Sequence, residues 1–84
     1  MTALEILVNS GFDVKIRKNE YLGKYQVDFP GWYVKDGPVL EGAWGGGQTI
    51  EEAARDYLDK IKNKTLVSGI CESRQEIKFV VVEG

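Results

Sequence analysis

The residues from Gly42 to Thr49 carry the pattern closest to a site of defined chemistry. They read Gly-Ala-Trp-Gly-Gly-Gly-Gln-Thr and agree with the phosphate-loop pattern G-x-x-x-x-G-K-[ST] at every fixed position except the lysine. Gln48 replaces that lysine and removes the charge that contacts the β- and γ-phosphates. Glu51 and Glu52 then oppose an anion at the start of the helix that follows. We therefore expect a hinge or a close approach of glycine backbone here, and no nucleotide site.

Residues suited to catalysis or metal binding are few. The chain has no histidine and a single cysteine, Cys71, so it cannot assemble a Cys/His zinc site or an internal disulfide. Four carboxylates, Asp13, Asp28, Asp36 and Glu41, fall at strand or turn positions without a pairing pattern, and the serines lack a visible activating partner. We therefore expect a protein that is not an enzyme and that uses no metal or cofactor.

Three aromatic side chains form the predicted partner-binding surface. Trp32, Tyr33 and Trp44 flank a Pro-Gly bend and the glycine-rich segment, and a chain of 84 residues has only a small core in which to bury them. Trp and Tyr are enriched at the dominant positions of protein interfaces. Another protein is therefore the expected partner, although the sequence leaves open whether the two tryptophans are core or surface residues.

A basic cluster supports an alternative function. Lys15, Arg17, Lys18 and Lys24 fall on the predicted first hairpin, where they would form the contact surface of a divergent nucleic-acid-binding domain. The formal net charge of −2 opposes this alternative because phosphate backbones are bound through excess positive charge. Nucleic acid is accordingly the less favoured partner.

Two helices are predicted from capping and periodicity. Thr2 and Glu5 form a capping box before a helix over residues 3–10, and Gly11 is suited to end it. A longer helix begins after a second capping box at Thr49, contains an i,i+4 pair of Asp56 and Lys60, and ends near Asn63 or Gly69. Its apolar stripe consists of Ile50, Ala53, Ala54, Tyr57, Leu58 and Ile61.

Strands are predicted where apolar and polar residues alternate. The alternation covers residues 12–17, 25–29 and 32–34, and a turn at Asp36-Gly37 leads to short strands at Val39-Leu40 and Ala43-Trp44. The glycine run before the second helix is predicted to be a flexible break.

The segment Gln75–Val82 is the last predicted strand. Its end is apolar on both faces, so we expect either a central strand or one that pairs with a partner, and Ile77 to Val82 is a candidate homodimer contact. The complete order is α-β-β-β-α-β. It indicates a single α+β domain over residues 1–84, with an antiparallel three- to four-stranded sheet and two helices on one face.

The segment from Tyr25 to Ile61 resembles the N-terminal domain of HicB-type antitoxins. Val27-Asp28-Phe29-Pro30-Gly31 matches the family's strand that ends in a Pro-Gly corner, and Gly47-Gln48-Thr49-Ile50-Glu51-Glu52-Ala53 matches its helix start. The spacing between corner and helix is longer than in the family, and the first helix is not part of its pattern. The resemblance implies a small module that binds and blocks another protein.

The α-β-β-β-α order also resembles the double-stranded-RNA-binding domain. That family grips phosphates with a lysine cluster at the start of its last helix, where this chain has Gln48, Glu51 and Glu52. The resemblance therefore extends to the fold and not to the RNA-binding activity.

The expected location is the cytoplasm. The start of the chain lacks the basic region of a signal peptide, and no apolar run approaches the ~18 residues of a membrane span. Together these features predict a non-catalytic, antitoxin-like or inhibitor-like protein-binding module of bacterial or phage origin, without contact with a membrane.

Overall fold

A computed structural model describes residues 2–69 and 74–81 of the chain. These residues confirm the predicted α+β class with antiparallel sheets. Predictions for Cys71 and Val82 lie outside the described residues. The elements are α1 (Ala3–Asn9), β1 (Lys15–Asn19), β2 (Lys24–Asp28), β3 (Trp32–Asp36), β4 (Val39–Glu41), β5 (Gly45–Gly47), α2 (Ile50–Ile61), β6 (Thr65–Ser68) and β7 (Gln75–Lys78).

Helix α1 begins at the predicted capping box. The Thr2 hydroxyl accepts a hydrogen bond from the Glu5 backbone N–H at 3.2 Å, and Gly11 follows the helix with a φ of 91°. A long-range contact adds to this cap, because Glu51 on α2 accepts from the Ala3 N–H at 2.7 Å. A helix of seven residues is too short to be stable alone, so this carboxylate and the packing of α1 on α2 hold it in place.

Helix α2 also follows its predicted pattern. The Thr49 hydroxyl accepts from the Glu52 N–H at 3.0 Å, and Asn63 ends the helix region with a positive φ of 60°. Of the predicted stripe, Ile50 is half-buried, and the others are buried: Ala53, Ala54, Tyr57, Leu58 and Ile61. The helix packs on β5 and β2, and α1 packs on the helix.

The strands divide into two sheets, where the sequence predicted one. One sheet has the order β1-β2-β5 and the other β4-β3-β6-β7, and every pairing is antiparallel. The chain turns at Gly31, with a φ of 82°, so that β3 and β4 leave the first sheet and β5 returns to pair with β2. Removing the β3–β4 hairpin from the order leaves α1-β1-β2-β5-α2-β6-β7.

Several strand boundaries differ from the prediction. The glycine run is strand β5 and not a flexible break, whereas Ala43 and Trp44 precede it outside a strand. The two-residue turn of the β3–β4 hairpin is Gly37-Pro38. Strand β6 was not predicted, because Leu66 and Val67 are both buried and the four residues show no alternation.

The first and last strands also correct the sequence-based interpretation. Strand β1 begins at Lys15 and continues through Lys18 to Asn19, beyond the predicted end at residue 17, and its Ile16 is exposed. Strand β7 ends at Lys78 and lies at the edge of its sheet in the described residues, so it is not a central strand.

One core serves both sheets. Val27 of β2, Val34 of β3 and Leu66 of β6 belong to a single cluster with the buried stripe of α2. Aromatic rings fill the space between these elements: Phe12 stacks on Phe29 with ring centroids 4.8 Å apart. Phe12 and Val14, predicted to begin β1, instead precede it and pack against this cluster.

Candidate protein-binding surface

An ion pair on α2 binds the outer edge of the glycine strand. The Gly46 N–H donates to Asp56 Oδ2 at 3.0 Å, and Lys60 Nζ donates to the Trp44 carbonyl at 2.9 Å. Asp56 and Lys60 also pair with each other at 3.1 Å, one helical turn apart. The helix thereby satisfies backbone groups that an edge strand would otherwise offer to another chain.

These contacts hold the Trp44 ring in a fixed and open position. Lys60 Nζ lies 5.3 Å from the ring centroid, a cation–π distance. The ring also lies against Gly46, where an added Cβ would come within 2.9 Å of Cζ3. The side chain nevertheless remains 53% exposed. Trp44 is therefore an ordered aromatic surface and not a core residue.

A groove of about 390 Å³ opens beside Trp44. It runs between the first hairpin and α2, and its lining combines apolar side chains with charges of both signs. The lining includes Leu22, Lys24, Tyr25, Trp44, Glu52 and Lys60. An aromatic ring with charged groups around it corresponds to the apolar core and the polar rim of a protein interface.

Asp56 is held in its charged form by its contacts with Gly46 and Lys60. The hydrogen bond from the Gly46 N–H lowers the pKa of Asp56 below its ordinary value. Burial opposes this effect, and the neighbouring Lys60 lowers the pKa further. The contact between Asp56 and the β5 edge is therefore a charge-assisted hydrogen bond at neutral pH.

The three aromatic residues predicted to form one surface are not brought together. Trp32 is half-buried and packs edge-on against Phe12, with ring centroids 4.8 Å apart. Tyr33 is 49% exposed and follows Trp32 on the strand, so it points to the opposite face of β3. Only Trp44 lies in the groove.

The predicted basic cluster is mostly brought together. Register pairs Lys15 with Asp28, Arg17 with Gln26 and Asn19 with Lys24, so these residues share one face of the three-stranded sheet. On β5, Gly46 is paired with Gln26 and therefore lies on the same face of the sheet, where the Trp44 ring covers it.

Lys18 is separated from the other three cations. It belongs to the opposite face of β1, and its Nζ lies 5.7 Å from the centroid of the Tyr25 ring. Lys18 and Tyr25 lie on the face of the sheet that packs toward α2. Lys15, Arg17 and Lys24 lie on the opposite face and are exposed to solvent.

Sequence reasoning missed the backbone contacts of the ion pair. The spacing of Asp56 and Lys60 indicated a helix-surface pair, but their further contacts reach residues 10 and 16 positions away. No local pattern predicts that a helix side chain will bind a strand edge at such a distance.

Neither a metal-binding cluster nor a membrane-spanning helix is present in residues 2–69 and 74–81. This part of the chain holds no group of three or more His, Cys, Asp or Glu side chains that could bind a metal ion. Neither of its helices has the length and apolar character needed to cross a membrane.

Comparison with protein-family models, curated proteins and solved structures found no match to this chain. The resemblance to HicB-type antitoxins therefore stays a prediction from the sequence.

Proposed function

We propose that the protein is a non-catalytic protein-binding module whose contact surface is centred on Trp44. The observation that carries this proposal is the exposure of that ring while it is held in contact with Lys60 and Gly46. A side chain that is already held in place loses little conformational freedom on binding, so its burial contributes more of its free energy to affinity.

The groove supports a polypeptide as the ligand. Leu22 and Tyr25 extend the apolar surface beside Trp44, and Lys24 and Glu52 place opposite charges at its sides. A partner segment that buries an apolar side chain against the indole and places polar groups at the rim would fit this arrangement.

The order of elements supports an antitoxin-like or inhibitor-like role. The Pro-Gly corner after β2 precedes the helix start at Thr49, in the order that the resemblance to HicB-type antitoxins implies. The β3–β4 hairpin occupies the stretch between the Pro-Gly corner and this helix, which accounts for the long spacing. A bacterial or phage origin and a cytoplasmic location are part of the same proposal.

The test is capture of a protein partner from a nuclease-treated bacterial lysate, followed by measurement of its affinity with purified components. Trp44→Ala should weaken binding by about 30-fold or more, the effect of removing an interface hot spot. Val39→Ala is the matched control, because Val39 has the same 53% exposure but lies on β4. This control should change the affinity less than about twofold.

The stability of the variants separates binding from folding. Trp44→Ala removes an exposed ring and one cation–π contact, so its free energy of unfolding should stay within about 1 kcal/mol of the parent. Trp32→Ala should cost about 2 kcal/mol or more, because that ring packs on Phe12 at the core. Unchanged partner affinity in a folded Trp44→Ala variant would overturn the proposal.

The open face of the three-stranded sheet favours a second candidate, a nucleic-acid-binding domain. Lys15, Arg17 and Lys24 share this face with the Trp44 ring, so cations lie beside an aromatic surface on which a base could stack. The opposing Asp28 and the net charge of −2 weaken this candidate relative to the first.

Salt dependence tests the second candidate. If the three cations contact a single strand, the slope of log K against log salt should be about −2, and Arg17→Ala should make it shallower by about 0.7. Lys64→Ala, which removes a lysine outside this sheet, should leave the slope unchanged. The absence of any binding to single-stranded oligonucleotides at low salt would exclude the candidate.

A further inference from the structure

The backbone of β7 has a defined direction of hydrogen bonding. The Phe79 N–H donates to the Lys64 carbonyl at 2.8 Å, and the Phe79 carbonyl accepts from the Asn63 N–H at 2.8 Å. Both groups of Phe79 therefore point toward the chain that leads into β6. In an antiparallel strand this direction alternates from one residue to the next.

This alternation shows which backbone N–H and C=O groups of β7 point away from the sheet at its open edge. Ile77 has the same parity as Phe79, so its N–H and C=O point inward to β6. The N–H and C=O groups of Glu76 and Lys78 consequently point away from the sheet, at an edge where the described residues place no other strand. These groups can accept an added antiparallel strand.

Parity restricts how β7 could pair with a second copy of itself. Residues whose N–H and C=O point outward must face residues of the same kind on the second copy. The two-fold axis between the strands must therefore lie level with one residue, which then faces its own copy, and not level with the bond between two residues. An axis at Glu76 places two glutamates opposite each other, and an axis at Lys78 does the same with two lysines. An axis at Ile77 instead places Glu76 opposite Lys78 of the second copy, twice.

The side chains on the opposite face of β7 also favour pairing about an axis at Ile77. Ile77 is 44% exposed, and an axis at this residue brings it against Ile77 of the second copy at the close, non-hydrogen-bonded position. Ile77 and Val80, which is 60% exposed, line an apolar groove beside Phe12. Charged side chains commonly block edge pairing, but here the alternating signs become complementary pairs.

We infer that the protein forms a homodimer through antiparallel pairing of β7 about a two-fold axis at Ile77. The contact joins two four-stranded sheets into one of eight strands. It lies on the opposite sheet from the one that holds Trp44, so it does not rest on the proposed function, and either proposal can fail without the other.

Solution mass and amide hydrogen exchange of the unmodified chain test the inference first. The mass should rise from monomer to dimer over a series from low micromolar to millimolar concentration. Over the same series, exchange of the Glu76 and Lys78 amides should slow, whereas the Ile77 amide is already bonded within the chain. A monomer at every concentration, or exchange at Glu76 and Lys78 that does not depend on concentration, would overturn the inference.

Charge reversal then tests the register. Glu76→Lys alone and Lys78→Glu alone each place like charges opposite one another, so each should weaken dimerisation by about tenfold. An equimolar mixture of the two variants should form a heterodimer, because each introduced charge then faces its opposite. Glu76 also forms ion pairs within the chain with Lys35 at 2.9 Å and with Arg74 at 3.4 Å, and the double variant loses these as Glu76→Lys does. The double variant should therefore be compared with Glu76→Lys, over which it should regain most of the dimer affinity.

The matched control is Glu41→Lys, which makes the same charge change on β4 at the other edge of the sheet. It should leave the dimer affinity within about twofold of the parent. Equal weakening by the control and by Glu76→Lys would show a general charge effect and contradict the proposed register, as would a mixture of variants that fails to associate.

Discussion

At the scale of single residues, Tyr57 connects α2 to the Pro-Gly corner. Its hydroxyl accepts from the buried Phe29 N–H at 3.2 Å, and its ring meets the Phe29 ring edge-on with centroids 5.1 Å apart. The strand ends at Asp28, so this hydroxyl takes the place of a sheet partner for the next N–H. Burial raises the pKa of Tyr57 to about 12, against a smaller opposing effect of this hydrogen bond.

The raised pKa of Tyr57 predicts a loss of stability in alkaline solution. The folded protein holds the phenol proton more tightly than the unfolded chain, whose tyrosine titrates near 10.0. The contribution is complete below pH 10.0 and is lost as the pH rises through about 12. Chemical unfolding across this interval should show a falling free energy of unfolding for the parent and a shallower fall for Tyr57→Phe.

Neutral pH and a second tyrosine supply the controls for this prediction. At pH 7, Tyr57→Phe should cost about 1–3 kcal/mol because the buried Phe29 N–H loses its acceptor. Tyr21→Phe, at a side chain that is 96% exposed, should match the parent in both stability and pH dependence. An alkaline profile that is identical in the parent and in Tyr57→Phe would contradict the assigned burial.

The aromatic residues show what local pattern can predict at this scale. Alternation predicted Phe29 and Trp32 in extended segments, and aromatic type predicted Trp44 as a contact residue. The sequence could not decide between core and surface for the tryptophans, because that choice depends on Phe12 for Trp32 and on Lys60 for Trp44. Both contacts come from distant parts of the chain.

At the scale of elements, the glycines of β5 allow α2 to approach the sheet. A Cβ added at Gly45 would lie 2.2 Å from the Ala53 carbonyl oxygen and 2.5 Å from Tyr57 Cβ. Gly47 is similarly close to the first turn of the helix, with 2.6 Å to Glu52 Cβ. Gly45 and Gly47 are thus required because α2 occupies the space of their side chains, whereas at Gly46 the Trp44 ring occupies that space.

This close approach predicts a strong position dependence of alanine substitution. Gly45→Ala should destabilise the protein by about 1–3 kcal/mol or more, because the clash involves backbone that cannot turn aside. Gly42→Ala is the control, since its added Cβ would meet only Tyr33 at 4.0 Å. Thermal unfolding of both variants checks the prediction, and equal stability would contradict the packing of α2 on β5.

The helices were predicted more accurately than the strands. Capping depends on residues three apart, as with Thr2 and Glu5 or Thr49 and Glu52, so the chain itself contains the whole interaction. Strands β5 and β6 were missed, because a glycine run and a doubly buried segment both lack the alternation that indicates a half-exposed strand.

At the scale of the whole molecule, the two sheets share one hydrophobic core. Val27 comes from the three-stranded sheet and Leu66 from the four-stranded sheet, and both pack in the same cluster as α2. The residues of this cluster therefore form one core that both sheets share, and not one core for each sheet. Unfolding one sheet therefore exposes the apolar side of the other, and we expect the chain to unfold as a unit.

The two tryptophans allow this cooperativity to be measured. Trp32 lies on β3 of the four-stranded sheet, and Trp44 lies beside β5 of the three-stranded sheet. In variants that keep one tryptophan, Trp32→Phe and Trp44→Phe, the fluorescence transition in urea should coincide with the loss of helix measured by circular dichroism. Transitions that differ between fluorescence and circular dichroism within one variant would show that the sheets unfold separately.

Although it left open whether the glycine run is a hinge or a close backbone approach, the sequence by itself determined the α+β class and both helices with their caps. These features depend on residue type and on contacts between near neighbours in the chain. Tertiary structure alone decided the division into two sheets, the edge position of β7 and the different environments of Trp32 and Trp44. Each of these depends on which distant strand or side chain packs against the segment, and periodicity along the chain contains no such information.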